Sequence, residues 1–259
     1  MGEPRRRRAT EERHEALVTL LRGGIDGVET LAERVGVSAS TVRRDLTRLQ
    51  REGRIARTYG GALVQEVFHE RSFLESARLH AGRKATIAAA AAELVPAGAT
   101  VFLDAGTTCL ALARMLADRG PLTVVTRGLE AALLLAKAPD VRVIVVGGQV
   151  QPLSHGVTGT LAEVALGRLA FDIAFLGADV LDAGKGLGEP TAEETYVKEL
   201  AAGRSAQVVL LADASKFVPA NAPAWTRIDP SWTVLSDAAV ADGTVRAFAR
   251  AGIRLVRAG

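Results

Sequence analysis

Three stretches near the start of the chain carry apolar residues at helical spacing. They run over 13–21, 28–35 and 38–51, and their apolar positions are Ala16, Leu17, Leu20, Leu21, Leu31, Ala32, Val35, Val42, Leu46 and Leu49. Gly23 and Gly24 break the pattern after the first stretch, and Gly36 follows the second, where a left-handed residue commonly ends a helix. The pattern predicts three consecutive amphipathic helices.

The third helix has a polar face that suits DNA. Ser38 is placed to cap its first turn with a side-chain oxygen. Small hydroxyls and long cations share the same helix, and the candidate DNA-binding residues on it are Ser38, Ser40, Thr41, Arg43, Arg44 and Arg48. Such residues contact phosphates and base edges. Taken alone, the face is equally typical of an ordinary helix with a solvated charged side.

A short β-hairpin is predicted over 54–64, with Gly60 and Gly61 lying either within it or at its exit. Arg54 and Arg57 would lie on this hairpin, where a cation reaches a phosphate or the minor groove. Helix, helix, turn, helix and hairpin is the order of a winged helix-turn-helix. We therefore predict a DNA-binding domain over 10–65, with its helix-turn-helix at about 26–45.

From residue 83 onward, apolar strands alternate with helices. Strands are expected over 100–103, 122–126, 141–146, 171–176, 208–211, 233–235 and 253–256, and helices over 84–95, 107–117, 129–137, 161–166, 191–202 and 239–251. Continuously apolar strands separated by helices indicate a parallel sheet covered on both faces. The expected fold class is α/β, in which a winged helix-turn-helix precedes a mostly parallel α/β domain over 83–257. Residues 66–82 show no strong period and are expected to be a linker.

Small or polar residues follow five consecutive strands of the predicted sheet. Ligands of parallel sheets bind at the carboxyl ends of the strands. The candidate ligand-binding residues are Asp104, Gly106, Thr107, Thr108, Thr126, Gly147, Gly148, Asp213 and Lys216 at this edge, and Lys198 on a neighbouring helix. The amides and hydroxyls of 106–108 open a helix and predict a phosphate site. Each cluster alone is also explained by a turn or a helix start.

Charge is divided unevenly along the chain. Residues 1–64 hold 13 Arg and no Lys against 9 acidic residues, and the remainder holds 19 basic and 20 acidic residues. A basic head on a nearly neutral body indicates that only the head meets nucleic acid. The run Arg5 to Arg8 is either a flexible arm on DNA phosphates or a disordered solubilising tail.

The cysteine and histidine content limits which disulfides and metal sites the chain could form. Cys109 is the single cysteine, so no internal disulfide forms, and the four His residues lack ligand spacing. We expect no metal and no cofactor. The chain has no long uninterrupted apolar run and no signal-peptide core at its N-terminus, which predicts a cytoplasmic protein that does not contact a membrane.

Motifs in both halves resemble those of the DeoR-type regulator family. Arg13, Leu17, Leu21 and the run from Ser38 to Leu46 follow the family signature in spacing, and 57–62 resembles its wing. Asp-x-Gly-Thr-Thr at 104–108, the paired glycines, a Glu-x-x-x-Lys helix and Asp-x-Ser-Lys-Phe at 213–217 resemble its sensor domain, which is similar to ribose-5-phosphate isomerase. The resemblance covers about residues 10 to 257.

The resemblance implies a bacterial transcription regulator, usually a repressor of sugar or polyol metabolism genes. Its partners would be double-stranded operator DNA, a phosphorylated sugar or polyol, and copies of itself in a dimer or tetramer. Phosphate would bind at 106–108, with Lys198 or Lys216 as countercharge, while Asp104 and Asp213 bind hydroxyls or orient those lysines. The sheet edges and the helix over 239–251 are the candidate oligomer contacts.

One position departs from the family pattern, and two other functions stay open. Many relatives carry Asn where this chain has Arg127, which either contacts phosphate or points to solvent. A sugar-phosphate isomerase-like enzyme is the first alternative; its candidate residues are Asp104, Asp179, Asp182, Lys185, Glu194 and Lys198. A DNA-binding protein whose second domain only assembles oligomers is the other. Fold similarity alone does not carry activity, which favours the regulator.

Overall fold

The structure is a computed structural model that describes residues 3–22, 25, 27–51, 55–58, 61–64, 68, 70–218 and 221–259. The chain divides into two compact units, Met1–His69 and Glu70–Gly259. We call them the N-terminal unit and the C-terminal unit. The N-terminal unit consists of α1 (Glu3–Arg22), α2 (Val28–Val35), α3 (Ala39–Arg51), β1 (Ile55–Thr58) and β2 (Gly61–Val64).

The three helices of the N-terminal unit close around one apolar core. Its fully buried residues, each 0% exposed, are Leu17, Leu31, Val42, Leu46, Leu49 and Ile55. Most of the apolar positions read from the sequence therefore face inward, as predicted, but Ala16 is exposed, and Leu20 and Val35 are half-buried. Gly36 ends α2 with φ 68°, the left-handed conformation that favours glycine.

Two expectations for this unit need correction or completion. Arg5 to Arg8 belong to α1, so the interpretation of this run as a flexible arm or disordered tail is wrong. The strands β1 and β2 pair antiparallel with Thr58 opposite Gly61, which makes Gly61 the first residue of the second strand. Gly60 lies outside the described residues. The predicted helix, helix, helix, hairpin order is confirmed.

The C-terminal unit alternates helices and strands. Its helices are α4 (Phe73–Arg78), α5 (Ala81–Ala92), α6 (Thr107–Leu116), α7 (Leu129–Leu135), α8 (Thr160–Leu166), α9 (Ala192–Gly203) and α10 (Asp242–Arg250). Its strands are β3 (Thr100–Leu103), β4 (Leu122–Thr126), β5 (Val141–Val145), β6 (Gln149–Val150), β7 (Val157–Thr158), β8 (Phe171–Gly177), β9 (Val180–Asp182), β10 (Gly186–Glu189), β11 (Ser205–Leu211), β12 (Ala224–Thr226), β13 (Thr233–Asp237) and β14 (Arg254–Ala258).

Seven parallel strands form the central sheet in the order β14-β13-β11-β8-β3-β4-β5. Apolar cores cover both of its faces. Val101 and Leu103 of β3 pack into one core, and Phe102 packs into the other, as the alternation of side chains along a strand requires. The predicted α/β fold with a parallel sheet is confirmed.

Several small elements lack a sequence signal. β6 and β7 form a hairpin of two residues per strand, and β9, β10 and β12 form a separate antiparallel sheet. These strands are short, and β10 contains two glycines, so they show neither an apolar run nor a clear alternation. α4 lies within the expected linker, where Ser72 and Glu75 cap it reciprocally. Among the described residues, no helix is both long and apolar enough to cross a membrane.

Candidate functional site

The polar face of α3 lies on the surface of the N-terminal unit. Ser38, Ser40, Arg43, Arg44 and Arg48 are exposed, and Thr41 is half-buried. The Ser38 side chain accepts the Thr41 amide at 3.2 Å, which is the predicted cap. Its hydroxyl also lies 2.9 Å from the hydroxyls of Ser40 and Thr41. Three hydroxyls are therefore gathered at the start of the helix.

Arg43 and Arg44 of α3 are held by weak surface contacts. Arg43 Nη2 donates to Glu29 Oε1 at 2.9 Å, but both side chains are more than half exposed. Arg44 Nε is 3.4 Å from the Ser40 carbonyl oxygen. Exposed pairs of this kind contribute little to stability, so these guanidinium groups are available to DNA at little cost. Arg54 lies outside the described residues, and Arg57 lies in β1 with its side chain outside the described part.

Asp45 is a functional residue of α3 that sequence analysis missed. Its carboxylate is buried between α1 and α3, where it accepts Arg13 Nε at 2.6 Å and Arg13 Nη2 at 3.2 Å. His14 Nε2 lies 3.1 Å from Oδ1, the oxygen that also accepts Arg13 Nη2. Burial alone would raise the pKa of Asp45, but Arg13 and His14 outweigh it and lower the pKa. Asp45 therefore fixes the position of α3 and is not a group that reads DNA.

The sheet order of the C-terminal unit brings the polar strand ends together. β3 lies between β4 and β8, and β11 follows β8, so their carboxyl ends share one edge. At this edge five ionisable side chains, each at most 3% exposed, form what we call the buried charge cluster: Asp104, Arg127, Glu189, Glu194 and Lys198. Sequence analysis selected Asp104 and Lys198 as ligand-binding residues, and named Glu194 for the enzyme alternative and as the glutamate of the Glu-x-x-x-Lys helix.

Lys198 lies at the centre of the cluster. Its Nζ is 2.5 Å from Glu189 Oε1, 2.9 Å from the Gly177 carbonyl oxygen and 3.3 Å from Asp104 Oδ2. Burial alone would lower the pKa of Lys198, but the carboxylates of Asp104 and Glu189 raise it. Burial raises the pKa of Glu189. The lysine is thus a charged group whose donors are already engaged within the protein.

Asp104 is fully buried and fully engaged. One oxygen accepts the Ala105 amide at 2.7 Å and a hydrogen bond from Arg127 Nε, and the other accepts the Gly177 amide at 2.9 Å. Burial would raise its pKa, but Arg127 and Lys198 lower it. Of the two predicted roles, binding hydroxyls or orienting a lysine, the geometry fits the second.

Arg127 does not point to solvent, so that one of its two predicted alternatives is wrong, while a phosphate contact stays a prediction. Its side chain is 2% exposed and pairs with Asp104. Its Nη1 lies 3.8 Å from Glu194 Oε1 and, among the described residues, has no hydrogen-bond partner. Buried donors are nearly always paired, so an unpaired one indicates strain or a missing partner. A Cβ on Gly156 would lie 2.5 Å from this nitrogen, so only a glycine permits the loop above it.

The start of α6 adjoins the cluster through Asp104 and Ala105. Gly106 adopts φ 108° at the N-cap, a conformation that favours glycine. No side chain caps this helix, and Thr107 is half-buried while Thr108 is buried. The first amides of a helix have no intrahelical acceptor. Gly106 offers these amides no side-chain acceptor, and the anion site at 106–108 stays a prediction.

Three other predicted ligand-binding residues, Thr126, Gly147 and Gly148, have different surroundings. Thr126 is buried, and its hydroxyl accepts the Gly128 amide at 3.0 Å. Gly148 has φ 138°, and a Cβ there would lie 2.2 Å from the Thr158 carbonyl oxygen. A Cβ on Gly147 would meet Leu161 at an ordinary 3.7 Å. The close approach that requires glycine at 148 is therefore to the β7 backbone, and not to an open ligand edge.

Asp213 and Lys216 lie at the margin of the cluster. Asp213 Oδ1 accepts the amide and the hydroxyl of Ser215, which caps a 3₁₀ turn over Ala214–Lys216. Lys216 Nζ lies 3.1 Å from Asp179 Oδ1, and the Asp179 amide donates to Glu189. A continuous chain of polar contacts therefore links Lys216 to Lys198.

The segment 70–80, which we call the connector, also reaches this margin. Burial and the negative charges of Glu194 and Asp179 raise the pKa of Glu70 to about 7. Burial lowers the pKa of Lys84 to about 8, with Asp213 opposing the effect and the positive charges of Lys216 and Arg71 adding to it. The connector therefore brings Glu70 and Arg71 into the electrostatic field of the site. Sequence analysis missed both residues because it treated 66–82 as a linker.

Two side chains named for the enzyme alternative, Asp182 and Lys185, lie away from the buried charge cluster. In the described part of the chain, no group of three or more His, Cys, Asp or Glu could hold a metal ion. Asp182 accepts the amides of Gly184 and Lys185, and Lys185 lies over Trp225 and near Asn221. These two candidates for the enzyme alternative are thus engaged in a turn and a surface contact, whereas the buried charge cluster offers fixed donors and acceptors.

The chain matches two family models. Residues 13–67 match the DeoR-like helix-turn-helix domain, and residues 79–237 match the DeoR C terminal sensor domain. The putative aga operon transcriptional repressor of Escherichia coli O157:H7 is 31% identical over 83% of this chain and 81% of that protein. The HTH-type transcriptional regulator GlpR of Haloferax volcanii is 37% identical over 73% and 74%.

This chain is also similar to another regulator and to a solved structure. The glycerol-3-phosphate regulon repressor of Escherichia coli K12 is 32% identical over 80% of this chain and 82% of that protein. Ribose 5-phosphate isomerase A of Methanocaldococcus jannaschii has a TM-score of 0.39 at 21% identity, covering 52% of this chain and 53% of that one.

Proposed function

We propose, on the premise that this chain belongs to the DeoR family of transcriptional regulators, that it is a DNA-binding repressor released by a phosphorylated sugar or polyol. The observation that carries the effector part is the buried charge cluster at the ligand edge of the sheet. Five buried ionisable groups are more than this fold needs for stability, because each costs desolvation that burial of apolar groups would avoid. Such clusters at a strand-end edge are typical of binding sites.

The N-terminal unit supplies operator recognition. Arg43, Arg44 and the hydroxyls of Ser40 and Thr41 enter the major groove, where guanidinium groups pair with guanine edges. Asp45 holds α3 at the angle that this requires. The relatives are named as repressors of an aga operon and of a glycerol-3-phosphate regulon, which supports repression of carbohydrate genes here.

The C-terminal unit binds the effector in two parts. The phosphate lies on the open amides and hydroxyls of 106–108, where the helix start favours negative charge. The sugar hydroxyls face the buried charge cluster, whose cations and carboxylates are nearly balanced and suit neutral hydroxyl groups better than a second anion. Lys216, 19% exposed, provides a nearby positive charge.

The effector is bound without being converted. The relatives are transcriptional regulators, and this supports a sensor in place of an isomerase. The protein acts in the cytoplasm as a homo-oligomer, because one winged head makes a limited contact and paired half-sites require paired heads.

Apolar residues on the C-terminal unit indicate where copies meet. Exposed apolar residues lie on α7, α8 and the neighbouring strands, namely Leu133, Val145, Val150, Leu161 and Val164. α10, the helix expected at an oligomer contact, carries two arginines and only one buried residue. We therefore shift the proposed contact from α10 to α7, α8 and the β5 edge.

A footprint on the DNA upstream of this gene tests the proposal. The full chain should protect paired sites, and one of glycerol 3-phosphate, ribose 5-phosphate, fructose 1-phosphate or glucose 6-phosphate should reduce protection. The same sugar phosphate should raise the melting temperature and be recovered unchanged after incubation. Conversion of the sugar phosphate would favour the isomerase-like enzyme, and protection indifferent to every sugar phosphate would favour a protein whose second domain only assembles oligomers.

A further inference from the structure

The loop between β6 and β7 covers the unpaired nitrogen of Arg127. We call residues 151–156 the cover loop. It closes on itself through the Gln151 amide to the Gly156 carbonyl at 2.8 Å and the His155 amide to the Gln151 carbonyl at 2.9 Å. His155 adopts φ 54°, a left-handed conformation that is uncommon outside glycine. The loop is therefore a compact segment held in a conformation that needs support.

The support on the inner side comes from Ser154. Its hydroxyl donates to Glu194 Oε1 at 3.0 Å. The same oxygen lies 3.8 Å from Arg127 Nη1, which has no acceptor among the described residues. Glu194 Oε1 thus accepts from the Ser154 hydroxyl, while the neighbouring donor, Arg127 Nη1, donates to no described residue.

A sugar hydroxyl at this point would complete both contacts. It would donate to Glu194 Oε1 and accept from Arg127 Nη1, since a hydroxyl is both donor and acceptor. The Ser154 hydroxyl makes the first contact without satisfying the second. A buried donor left unpaired costs free energy that a ligand recovers by pairing with it.

The support on the outer side comes from the connector. The Phe73 ring stacks on the His155 ring with centroids 5.3 Å apart and planes 15° apart, and the Phe73 amide donates to the Leu153 carbonyl at 2.7 Å. Phe73 is 8% exposed. The cover loop is therefore held by Glu194 on one side and by Glu130, which pairs with the His155 ring, and it holds the first residue of α4 on the other side.

We propose that Ser154 occupies the place of a ligand hydroxyl, so that effector binding exchanges Ser154 for a sugar hydroxyl on Glu194 and releases the cover loop together with Phe73. The inference rests on the proposed function and adds its regulation. The connector leads along the chain to the DNA-binding unit, and release of Phe73 changes how that unit is tethered. Because a ligand shifts a conformational equilibrium only through a difference in affinity, the intramolecular competitor supplies that difference.

The first test needs no ligand. Hydrogen exchange is measured on the full chain for the wild type, Ser154→Ala and the control Ser231→Ala, whose hydroxyl donates to Asp229 at an exposed site. Loss of the hydrogen bond to Glu194, together with the 3.3 Å hydrogen bond from the Gly156 amide to the same hydroxyl, should speed exchange of the cover-loop amides and of the Phe73 amide about tenfold in Ser154→Ala alone. Unchanged exchange at these amides would overturn the inference, whatever the effector is.

The second test separates the hydroxyl from the phosphate. Calorimetry compares the wild type with Ser154→Ala for inorganic phosphate and for the sugar phosphates of the footprinting panel. Removing the competitor should tighten binding of the effective sugar phosphate several-fold, while inorganic phosphate binds both proteins alike. Equal tightening for both probes, or for neither when a sugar phosphate binds, would overturn the exchange. If no sugar phosphate binds either protein, the proposed function fails, and the exchange measurement still decides whether Ser154 holds the loop.

Discussion

Both units bury ionised side chains, but they satisfy them differently. In the N-terminal unit, Asp45 accepts from Arg13 and His14, so the carboxylate is paired by neighbours on α1. In the C-terminal unit, the buried charge cluster contains three carboxylates and two cations, and Arg127 Nη1 is left without a described partner. The first arrangement fixes two helices against each other. The second keeps unused hydrogen-bonding capacity, which suits a site that receives a ligand.

The largest expected effect comes from removing the arginine of the buried charge cluster. Arg127→Met leaves Asp104 and Glu194 buried without their guanidinium partner, and breaking a buried pair in this way costs about 3–5 kcal/mol. Thermal unfolding of the full chain should show this loss. Arg119→Met, which removes an exposed pair with Glu93, should cost less than about 1 kcal/mol and is the control. Equal losses for the two variants would contradict the comparison.

A somewhat smaller effect is expected at Asp45, the fully paired carboxylate of the N-terminal unit. Asp45→Asn removes charge-assisted hydrogen bonds to Arg13 and His14 and should destabilise the N-terminal unit by about 2–3 kcal/mol. Glu29→Gln, at an exposed pair, should change little. Chemical denaturation measures the stability of Asp45→Asn and Glu29→Gln, and gel-shift titration measures their affinity for the operator. Because the pKa of Asp45 is lowered in the folded state, ionised Asp45 stabilises the N-terminal unit fully at any pH above its unfolded pKa. This stabilisation is lost as the pH falls through the pKa of Asp45 in the folded protein.

Operator binding separates the surface of α3 from its buried anchor. Arg44→Ala should cost about 1–3 kcal/mol of specific binding if the guanidinium pairs with a guanine edge, and should leave the melting temperature unchanged. Arg34→Ala, an exposed cation on α2, is the matched control. Gel-shift titrations at several salt concentrations distinguish base reading from phosphate contact. Unchanged binding by the Arg43→Ala, Arg44→Ala double variant would refute α3 as the recognition helix.

The smallest expected effect is a pH dependence at the connector. Burial and the charges of Glu194 and Asp179 raise the pKa of Glu70 to about 7, so its protonated form is favoured in the folded protein. The contribution of Glu70 to stability is therefore full below its unfolded pKa and is lost as the pH rises through about 7. Melting temperatures from acid to neutral pH should fall less for Glu70→Gln than for the wild type. The exposed Glu193→Gln should follow the wild type, and an identical fall in all three would contradict this placement of Glu70.

Local patterns explain why most elements could be predicted. β3 and β4 have the predicted bounds, and the stripe of Val42, Leu46 and Leu49 is buried as predicted, because burial of one face imposes a fixed spacing on apolar residues. Elements without that spacing were missed. β10 is held by pairing with β9 and β12, and β6 and β7 pair only with each other over two residues, so no repeat in their own residues signals these strands.

The candidate site shows the same division. The motif at 104–108 predicts an anion site from adjacent residues alone, and the structure leaves that helix start uncapped. Arg127 was misjudged because its surroundings come from residues far along the chain, namely Asp104, Gly156 and Glu194. Ser154 and Glu70 carry no motif at all. Their importance follows only from which oxygen or charge lies opposite them.

The amino-acid sequence by itself determined the DNA-binding helix, the parallel sheet and the family, because each depends on spacing, residue type and turn chemistry within short segments. Only the tertiary structure decided which charges are buried together, which donor remains unpaired, and that residues 70–80 dock on the C-terminal unit. These properties depend on distances between residues that are far apart in the chain. Electrostatic and hydrogen-bond energies change steeply with such distances and with burial, and neither can be read from composition or periodicity.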